Sequence, residues 1–191
     1  RLRGSDAISY HIADIMRDIE AGFRGFLVYD EGVLYILNKM RDEGVIPRET
    51  IFKFSVFGGY CSAAGAKVLE MLGANSMNPI SDVSLPILAG IRKTATIPLD
   101  VYIIIVDAFG GMYRIYEGPE IARVASPVYF KIEPGTSEGD IYKPWAFEPF
   151  HADLIREKVK IAQVTSEIMA RHAPELSTSP KGASDLILPV V

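Results

Sequence analysis

Two lysines lie inside segments that otherwise have the composition of buried strands. Lys53 belongs to the segment IFKFSVF and Lys131 to the segment VYFKI. Because side chains alternate along a strand, Lys53 shares a face with Ser55, and Lys131 shares a face with Glu133. An ammonium group that leaves water must be paired or lose its proton, and a desolvated lysine is what Schiff-base chemistry requires. We therefore expect Lys131 to be a Schiff-base or electrostatic residue of a catalytic site.

Two other interpretations of these lysines remain open. The stem of either lysine can run along the outside of the sheet, with its ammonium group in water. Either lysine can also close a structural ion pair, with Asp100 or Glu133 as the carboxylate. Buried ion pairs of this kind perturb lysines without any catalysis, so position in a strand does not decide between the interpretations.

Acidic residues follow several predicted strands, where parallel α/β folds place their sites. Asp30 and Glu31 follow the first strand, Asp107 the fourth and Glu133 the last. We predict Asp107 and Glu133 as acid/base or metal-binding groups, and Asp30 and Glu31 as ligand-binding groups. Clustered carboxylates of this kind bind divalent metals such as Mg²⁺. For each acid, a helix cap or a solvated loop position is the alternative.

A glycine turn, GGYCS, begins at Gly58 and leads directly into a predicted helix. The free backbone N–H groups of such a turn bind phosphate or carboxylate, although the turn matches neither the dinucleotide fingerprint nor the P-loop. A second glycine pair, which begins at Gly110, would let a ligand approach the backbone, and a plain tight turn is its alternative. The predicted ligand-binding residues are Asp30, Glu31, Lys53, Ser55, Gly58, Gly59, Asn78 and Gly110.

The scaffold that would position these residues is an alternation of strands and helices. Strands are predicted at 26–29, 51–57, 76–80, 99–106 and 128–132, and four of them precede a plausible helix. This order predicts parallel neighbours joined by right-handed crossovers. We predict an α/β fold of the TIM-barrel type, incomplete because a closed barrel needs eight units and typically about 250 residues. An open doubly wound sheet is the alternative.

The domain organisation follows from the same pattern. The 191 residues fit one domain, which we place at 1–174 and expect to lack N-terminal strand-helix units. A Ser/Pro/Gly linker then leads to an apolar end, so residues 175–191 are predicted to form a C-terminal tail. Such a tail would dock on a surface or on a neighbouring subunit, which makes a homo-oligomer or a partner chain part of the prediction.

Composition excludes several classes of partner. The net charge is −4 and the chain has no basic block, so we expect no nucleic acid as partner. The longest apolar runs are far shorter than the about 20 residues of a membrane span, so no membrane role is expected. The single cysteine excludes an internal disulfide and fits a reducing compartment, which predicts the cytoplasm. A small-molecule substrate is the expected ligand.

The stretch 62–102 resembles the second half of a collagenase-like peptidase barrel. The resemblance rests on KVLEMLGA at 67–74, on Asn78-Pro79, and on PLDVY at 98–102. In that family the last of these strands is expected to lead into His and Cys residues, whereas here it continues to DAFGG at 107–111. The resemblance therefore implies the barrel fold, but this departure removes the residues that would support peptidase activity.

Three functions are consistent with these observations. The first is a TIM-barrel-like enzyme acting on a small polar or anionic metabolite, of the lyase or aldolase type or metal-assisted. The second is a peptidase-like hydrolase, which the resemblance implies. The third is a non-catalytic binding or assembly subunit that completes its barrel through an oligomer or a partner chain.

Overall fold

The computed structural model of the chain describes residues 2–105, 111–132, 148–183 and 187, and over these ranges strands and helices alternate. The strands are β1 (Gly25–Val28), β2 (Ile51–Phe54), β3 (Ser76–Met77), β4 (Leu99–Ile104) and β5 (Val128–Ile132). The helices are α1 (Gly4–Glu20), α2 (Glu31–Asp42), α3 (Ala63–Met71), α4 (Leu85–Arg92), α5 (Gly118–Ala125) and α6 (Glu148–His172). Short 3₁₀ turns follow β2 at Val56–Gly58 and precede α5 at Ile115–Glu117. Among the described helices, none combines the length and the apolar composition needed to cross a lipid bilayer.

The five strands form one sheet in chain order, β1-β2-β3-β4-β5, and every neighbouring pair is parallel. The predicted α/β fold with parallel strand-helix repeats is therefore confirmed. The sheet is open, because β1 and β5 lie at its two edges within the described residues and do not pair with each other. This is the open alternative rather than the closed barrel, for which five strands are too few.

The strand order determines where the helices lie. When parallel strands follow one another in order, right-handed crossovers all place their helices on the same face of the sheet. Successive helices from α3 to α6 accordingly contact one another in a single layer. The face of the sheet beneath them is apolar and buried. Its core residues are Val28, Phe52, Phe54, Met77, Leu99, Val101 and Ile103.

The opposite face of the sheet carries the polar residues. The register aligns Leu27 with Lys53, and Tyr102 with Lys131, all pointing away from the helix layer by alternation with the core residues. We call this surface the polar face and define it by Lys53, Asn78, Asp100, Tyr102 and Lys131. Both predicted strand lysines thus lie on the same face of the sheet.

Strands β2 and β3 end well before the positions that the sequence predicts, and β4 ends at Ile104 instead of residue 106. Strand β2 ends at Phe54 instead of residue 57, because the Ser55 hydroxyl accepts a hydrogen bond from Phe57 N and starts a 3₁₀ turn. Strand β3 has two residues instead of five. Pro79 has no N–H to donate to a ladder, and the side chain of Asn78 supplies the next bond to β4. In both places a local side chain competes with the sheet.

Two partly buried arginines bind the loops at the amino ends of the strands. Arg41 donates to Thr50 O (2.8 Å), to Gly73 O (3.0 Å) and to Asn75 Oδ1 (2.9 Å), all just before β2 or β3. Arg92 donates to backbone oxygens before β4 and β5, including Ile97 O at 3.1 Å. Burial lowers the pKa of both arginines, but guanidinium groups stay protonated in proteins.

Glu70, on α3, binds the same loop before β4. Its Oε1 accepts from Thr96 N at 2.8 Å and from Ile97 N at 3.3 Å, and its Oε2 accepts from Lys67 Nζ at 2.6 Å. Burial raises the pKa of Glu70, but the hydrogen bonds from Lys67 and Thr96 outweigh this effect and lower the pKa to about 2. The ionised carboxylate is therefore part of the fold.

Replacing Glu70 with Gln is expected to lower the free energy of unfolding by about 1–3 kcal/mol near neutral pH, because a charged acceptor is lost. A carboxyl group whose pKa is lower in the folded state than in the unfolded state stabilises the fold when the pH is above its unfolded-state pKa. This contribution is lost as the pH falls through the folded-state pKa. The difference between wild type and Glu70→Gln should hence be largest above pH 4.5 and shrink between pH 4.5 and about 2.

Thermal melts over this pH range provide the measurement. Glu157→Gln is the control, because Glu157 is exposed and lies 3.6 Å from Lys160 in an (i, i+3) pair on α6. Equal melting temperatures for wild type and Glu70→Gln at neutral pH would contradict the assigned role of Glu70.

Candidate functional site

Two lysines from different strands converge over β4. Lys53, on β2, contacts Asp100 Oδ2 through its ammonium group. Lys131, on β5, has its Nζ 3.2 Å from the hydroxyl of Tyr102 and 4.8 Å from the centre of that ring. Asp100 and Tyr102 are two residues apart on the same face of β4, so their Cα atoms are separated by about 6.6 Å. The partners of the two ammonium groups, Asp100 and Tyr102, therefore lie close together on β4.

The carboxylate and the phenol of this group are buried, while the lysines are not. The side chain of Asp100 is 5% exposed and that of Lys53 is 36% exposed. Tyr102 is buried and Lys131 is half-buried. A buried carboxylate is costly unless it is paired, so Lys53 compensates the charge of Asp100. The ion-pair interpretation of Lys53 is the one that this geometry supports.

Asn78 lies beside Asp100 at the end of β3. It is 1% exposed, and its Nδ2 donates to Asp100 O at 2.6 Å. Its backbone N–H donates to Phe54 O at 2.8 Å. The remaining polar atom, Asn78 Oδ1, is buried without a hydrogen-bond partner among the described residues. Buried acceptors are nearly always paired, so this atom marks a place where a donor is missing.

The polar face therefore brings together groups of complementary chemistry. A lysine amine can add to a carbonyl group and form a Schiff base. A phenol within hydrogen-bond distance of that amine can donate or accept a proton during the addition. Lys131 and Tyr102 have the functional groups that these two roles require, and the buried carboxylate of Asp100 lies on the same face of β4 as Tyr102.

The acids after β1 have structural partners. Asp30 accepts from Gly32 N at 3.0 Å and from Val33 N at 3.1 Å, which makes it the N-cap of α2. Glu31 Oε1 accepts from the hydroxyl of Tyr60 at 2.9 Å and so joins the loops after β1 and β2. For Asp30 this is the helix-cap alternative of the sequence analysis. Ligand binding by Asp30 or Glu31 stays a prediction.

The conformation of the turn after β2 requires glycine at both positions of the pair. Gly58 N donates to Ser55 O at 3.0 Å, and Gly59 N donates to Val56 O at 2.9 Å. A Cβ at Gly58 would lie 2.1 Å from the ring of Phe54, and Gly59 has a φ of +76°. Both N–H groups are used within the turn, so anion binding there also stays a prediction.

Three predicted site residues, Asp107, Gly110 and Glu133, lie outside the described residues. In the ranges that are described, no three His, Cys, Asp or Glu side chains lie together as a metal ion would require. The predicted divalent metal site, Mg²⁺ included, therefore stays a prediction. Of the predicted residues, the polar face contains Lys53, Asn78 and Lys131.

The sequence pattern does not single out Tyr102 as a site residue, and it indicates Asp100 only as an ion-pair partner. The available signal was their spacing, because positions i and i+2 of a strand share a face. In the segment LDVYII, the aspartate and the tyrosine fit that spacing within an otherwise aliphatic strand.

Comparisons with known proteins give one distant likeness. No protein-family model matches the sequence, and no curated protein matches it either. Among solved structures, a U32 peptidase aligns over 68% of this chain and 49% of its own, with 14% identity and a TM-score of 0.41. This chain thus spans about half the length of that structure. A likeness this weak carries no argument about activity, and the fold rests on the strand order of this chain's own sheet.

Replacing Gly58 with Ala is expected to destabilise the protein by about 1–3 kcal/mol, since a buried ring must move to admit the methyl group. The displaced ring is that of Phe54, which packs edge-to-face on Tyr60 with centroids 5.4 Å apart. Chemical denaturation measures the change. Gly90→Ala is the matched control, because Gly90 lies within α4 with no atom near its Cβ position and should gain about 0.5–1 kcal/mol. A Gly58→Ala protein as stable as wild type would contradict the close approach.

Proposed function

We propose that this protein is a lyase-type enzyme that binds a small polar metabolite through a carbonyl group on the polar face of its sheet. The observation that carries the proposal is the 3.2 Å distance between Lys131 Nζ and the hydroxyl of Tyr102. Lysine and phenol are the pair needed to form a Schiff base and to move a proton next to it. The proposal develops the first of the three functions derived from the sequence.

Each residue of the pair has a distinct role in the proposed reaction. The Lys131 amine adds to the substrate carbonyl, and water leaves to give a protonated imine. The imine withdraws electrons from the neighbouring carbon, whose proton or carbon substituent can then depart. Tyr102, which is buried, returns a proton to that carbon when the enamine collapses. Hydrolysis of the imine restores the free amine.

Reductive trapping tests the Schiff base directly. The protein is incubated with pyruvate and sodium borohydride, and peptide mass mapping locates the reduced adduct. We expect a single adduct on Lys131, absent in Lys131→Met, because only a lysine that forms an imine is fixed by the reductant. The matched control is Lys39→Met, since Lys39 also lies over a tyrosine ring, at 6.0 Å from the centre of Tyr35, but on the outer surface of α2.

The role of Tyr102 has a separate readout. Enamine formation exchanges the methyl protons of pyruvate with deuterium in heavy water, which proton NMR follows. In Tyr102→Phe the ring remains but the hydroxyl is lost, so exchange should slow by about 10²–10⁴-fold while trapping persists. Adducts spread over surface lysines, or unchanged trapping in Lys131→Met, would exclude Lys131 as the Schiff-base residue.

A peptidase-like hydrolase is the second candidate, and the sequence resemblance over 62–102 is what favours it. Catalytic cleavage of an unstructured protein such as casein, without any trapped adduct, would support the hydrolase over the lyase. The assembly-subunit hypothesis would be favoured if both assays were negative and light scattering gave a stable oligomer.

A further inference from the structure

Beside the pair formed by Lys131 and Tyr102, the polar face carries a second group of side chains, which is rich in hydrogen-bond acceptors. It consists of the Asp100 carboxylate, Asn78 Oδ1 and the Lys53 ammonium group. Lys53 reaches Asp100 from β2 although β3 lies between their strands, so its side chain spans the strand that ends just before Asn78. A flexible, partly exposed side chain thus contacts the buried carboxylate of Asp100 and crosses the short strand that precedes Asn78.

Asn78 Oδ1 would make this group selective for a ligand that donates a hydrogen bond. The amide is fixed, because its Nδ2 is held by Asp100 O at 2.6 Å, so the oxygen cannot exchange places with the nitrogen without losing that bond. The oxygen is buried and has no donor within the described part of the chain. Leaving such an acceptor unsatisfied is costly, and a ligand group that donates to it removes the cost.

We infer that Asn78, Asp100 and Lys53 form a subsite for a hydroxyl group of the substrate, which makes the substrate a β-hydroxy carbonyl compound. This inference rests on the proposed Schiff base at Lys131. A hydroxyl group fits the subsite because it donates and accepts at once. It donates to Asn78 Oδ1 or to the carboxylate, and it accepts from the Lys53 ammonium group once the flexible lysine stem rotates.

The separation along β4 fits such a substrate. Asp100 and Tyr102 are about 6.6 Å apart at Cα, and a β-hydroxyl oxygen is separated from the carbonyl carbon by two carbon–carbon bonds and one carbon–oxygen bond. A substrate held as an imine on Lys131 therefore extends its hydroxyl toward Asp100. The two groups of the polar face become two halves of one binding site.

The reaction that follows is a retro-aldol cleavage. Asp100 takes the hydroxyl proton, and the bond between the α and β carbons breaks. The electron pair moves to the imine nitrogen and leaves an enamine on Lys131, while the β carbon departs as an aldehyde. The Tyr102 hydroxyl then protonates the enamine carbon, and water hydrolyses the imine to release the second carbonyl product. The proton held by Asp100 passes through water to the Tyr102 phenolate, which restores both groups.

A matched pair of probes tests the hydroxyl subsite: 4-hydroxy-2-oxobutanoate and 2-oxobutanoate, which differ by the β-hydroxyl. Borohydride trapping at Lys131 is measured as a function of probe concentration. We expect half-saturation at a concentration at least about tenfold lower for the hydroxylated probe, because its hydroxyl satisfies a buried acceptor. Formaldehyde release from that probe reports the cleavage itself.

The variants Asn78→Ala and Thr50→Val complete the design. Asn78→Ala should reduce the preference for the hydroxylated probe to less than about threefold. Thr50→Val is the control, because Thr50 Oγ1 is another buried atom without a partner in the described residues, but lies at the amino end of β2. The Thr50→Val protein should keep its preference for the hydroxylated probe.

The outcomes separate the two proposals. If the wild-type protein traps both probes with equal half-saturation, the hydroxyl subsite is wrong and the Schiff base stands. If it traps neither probe at Lys131, the Schiff base is wrong, and the subsite inference is overturned with it. A preference that survives Asn78→Ala overturns the assignment to Asn78, and the wild-type comparison stays decisive if that variant does not fold.

Discussion

The handedness of the strand-helix-strand crossover is the constraint on which this structure depends. Because the five strands follow one another in order, right-handed crossovers send every helix to one face of the sheet. That face buries the aliphatic core. Within the described ranges no crossover helix lies on the other face, although parallel sheets usually bury both faces. Charged and polar side chains can therefore occupy it, and Lys53, Asp100, Tyr102 and Lys131 do so.

The two ends of the strands are specialised in different ways. At the amino ends, Arg41, Arg92 and Glu70 bind loop backbone through hydrogen bonds that fix where β2 to β5 begin. At the carboxyl ends the connections depend on a capping aspartate, a glycine turn and short 3₁₀ segments. Partly buried side chains thus fix the backbone of the first set of loops.

The sequence predicts much of this architecture, and the limits of the prediction have physical causes. Alternation of apolar segments identifies all five strands, and period-two spacing places both strand lysines on polar positions. Closure cannot be predicted, because it depends on whether edge strands meet. Tyr102 cannot be recognised as a site residue from the sequence, because an aromatic residue in a strand is usually part of the core. The unsatisfied oxygen of Asn78 can be recognised only when the neighbours of its side chain are known.

The brevity of β3 has a consequence for how the sheet holds together. Four residue pairs join β1 to β2 and five join β4 to β5, but only two join β2 to β3 and one joins β3 to β4. The sheet thus consists of two well-paired halves, β1-β2 and β4-β5, which are joined only through the short strand β3. The side chains of Lys53 and Asn78 add contacts across this junction, because both bind Asp100. Any molecule that engages these bridging groups also changes the stiffness of the joint between the halves. Binding of a ligand to these groups would therefore be coupled to the cohesion of the sheet at β3.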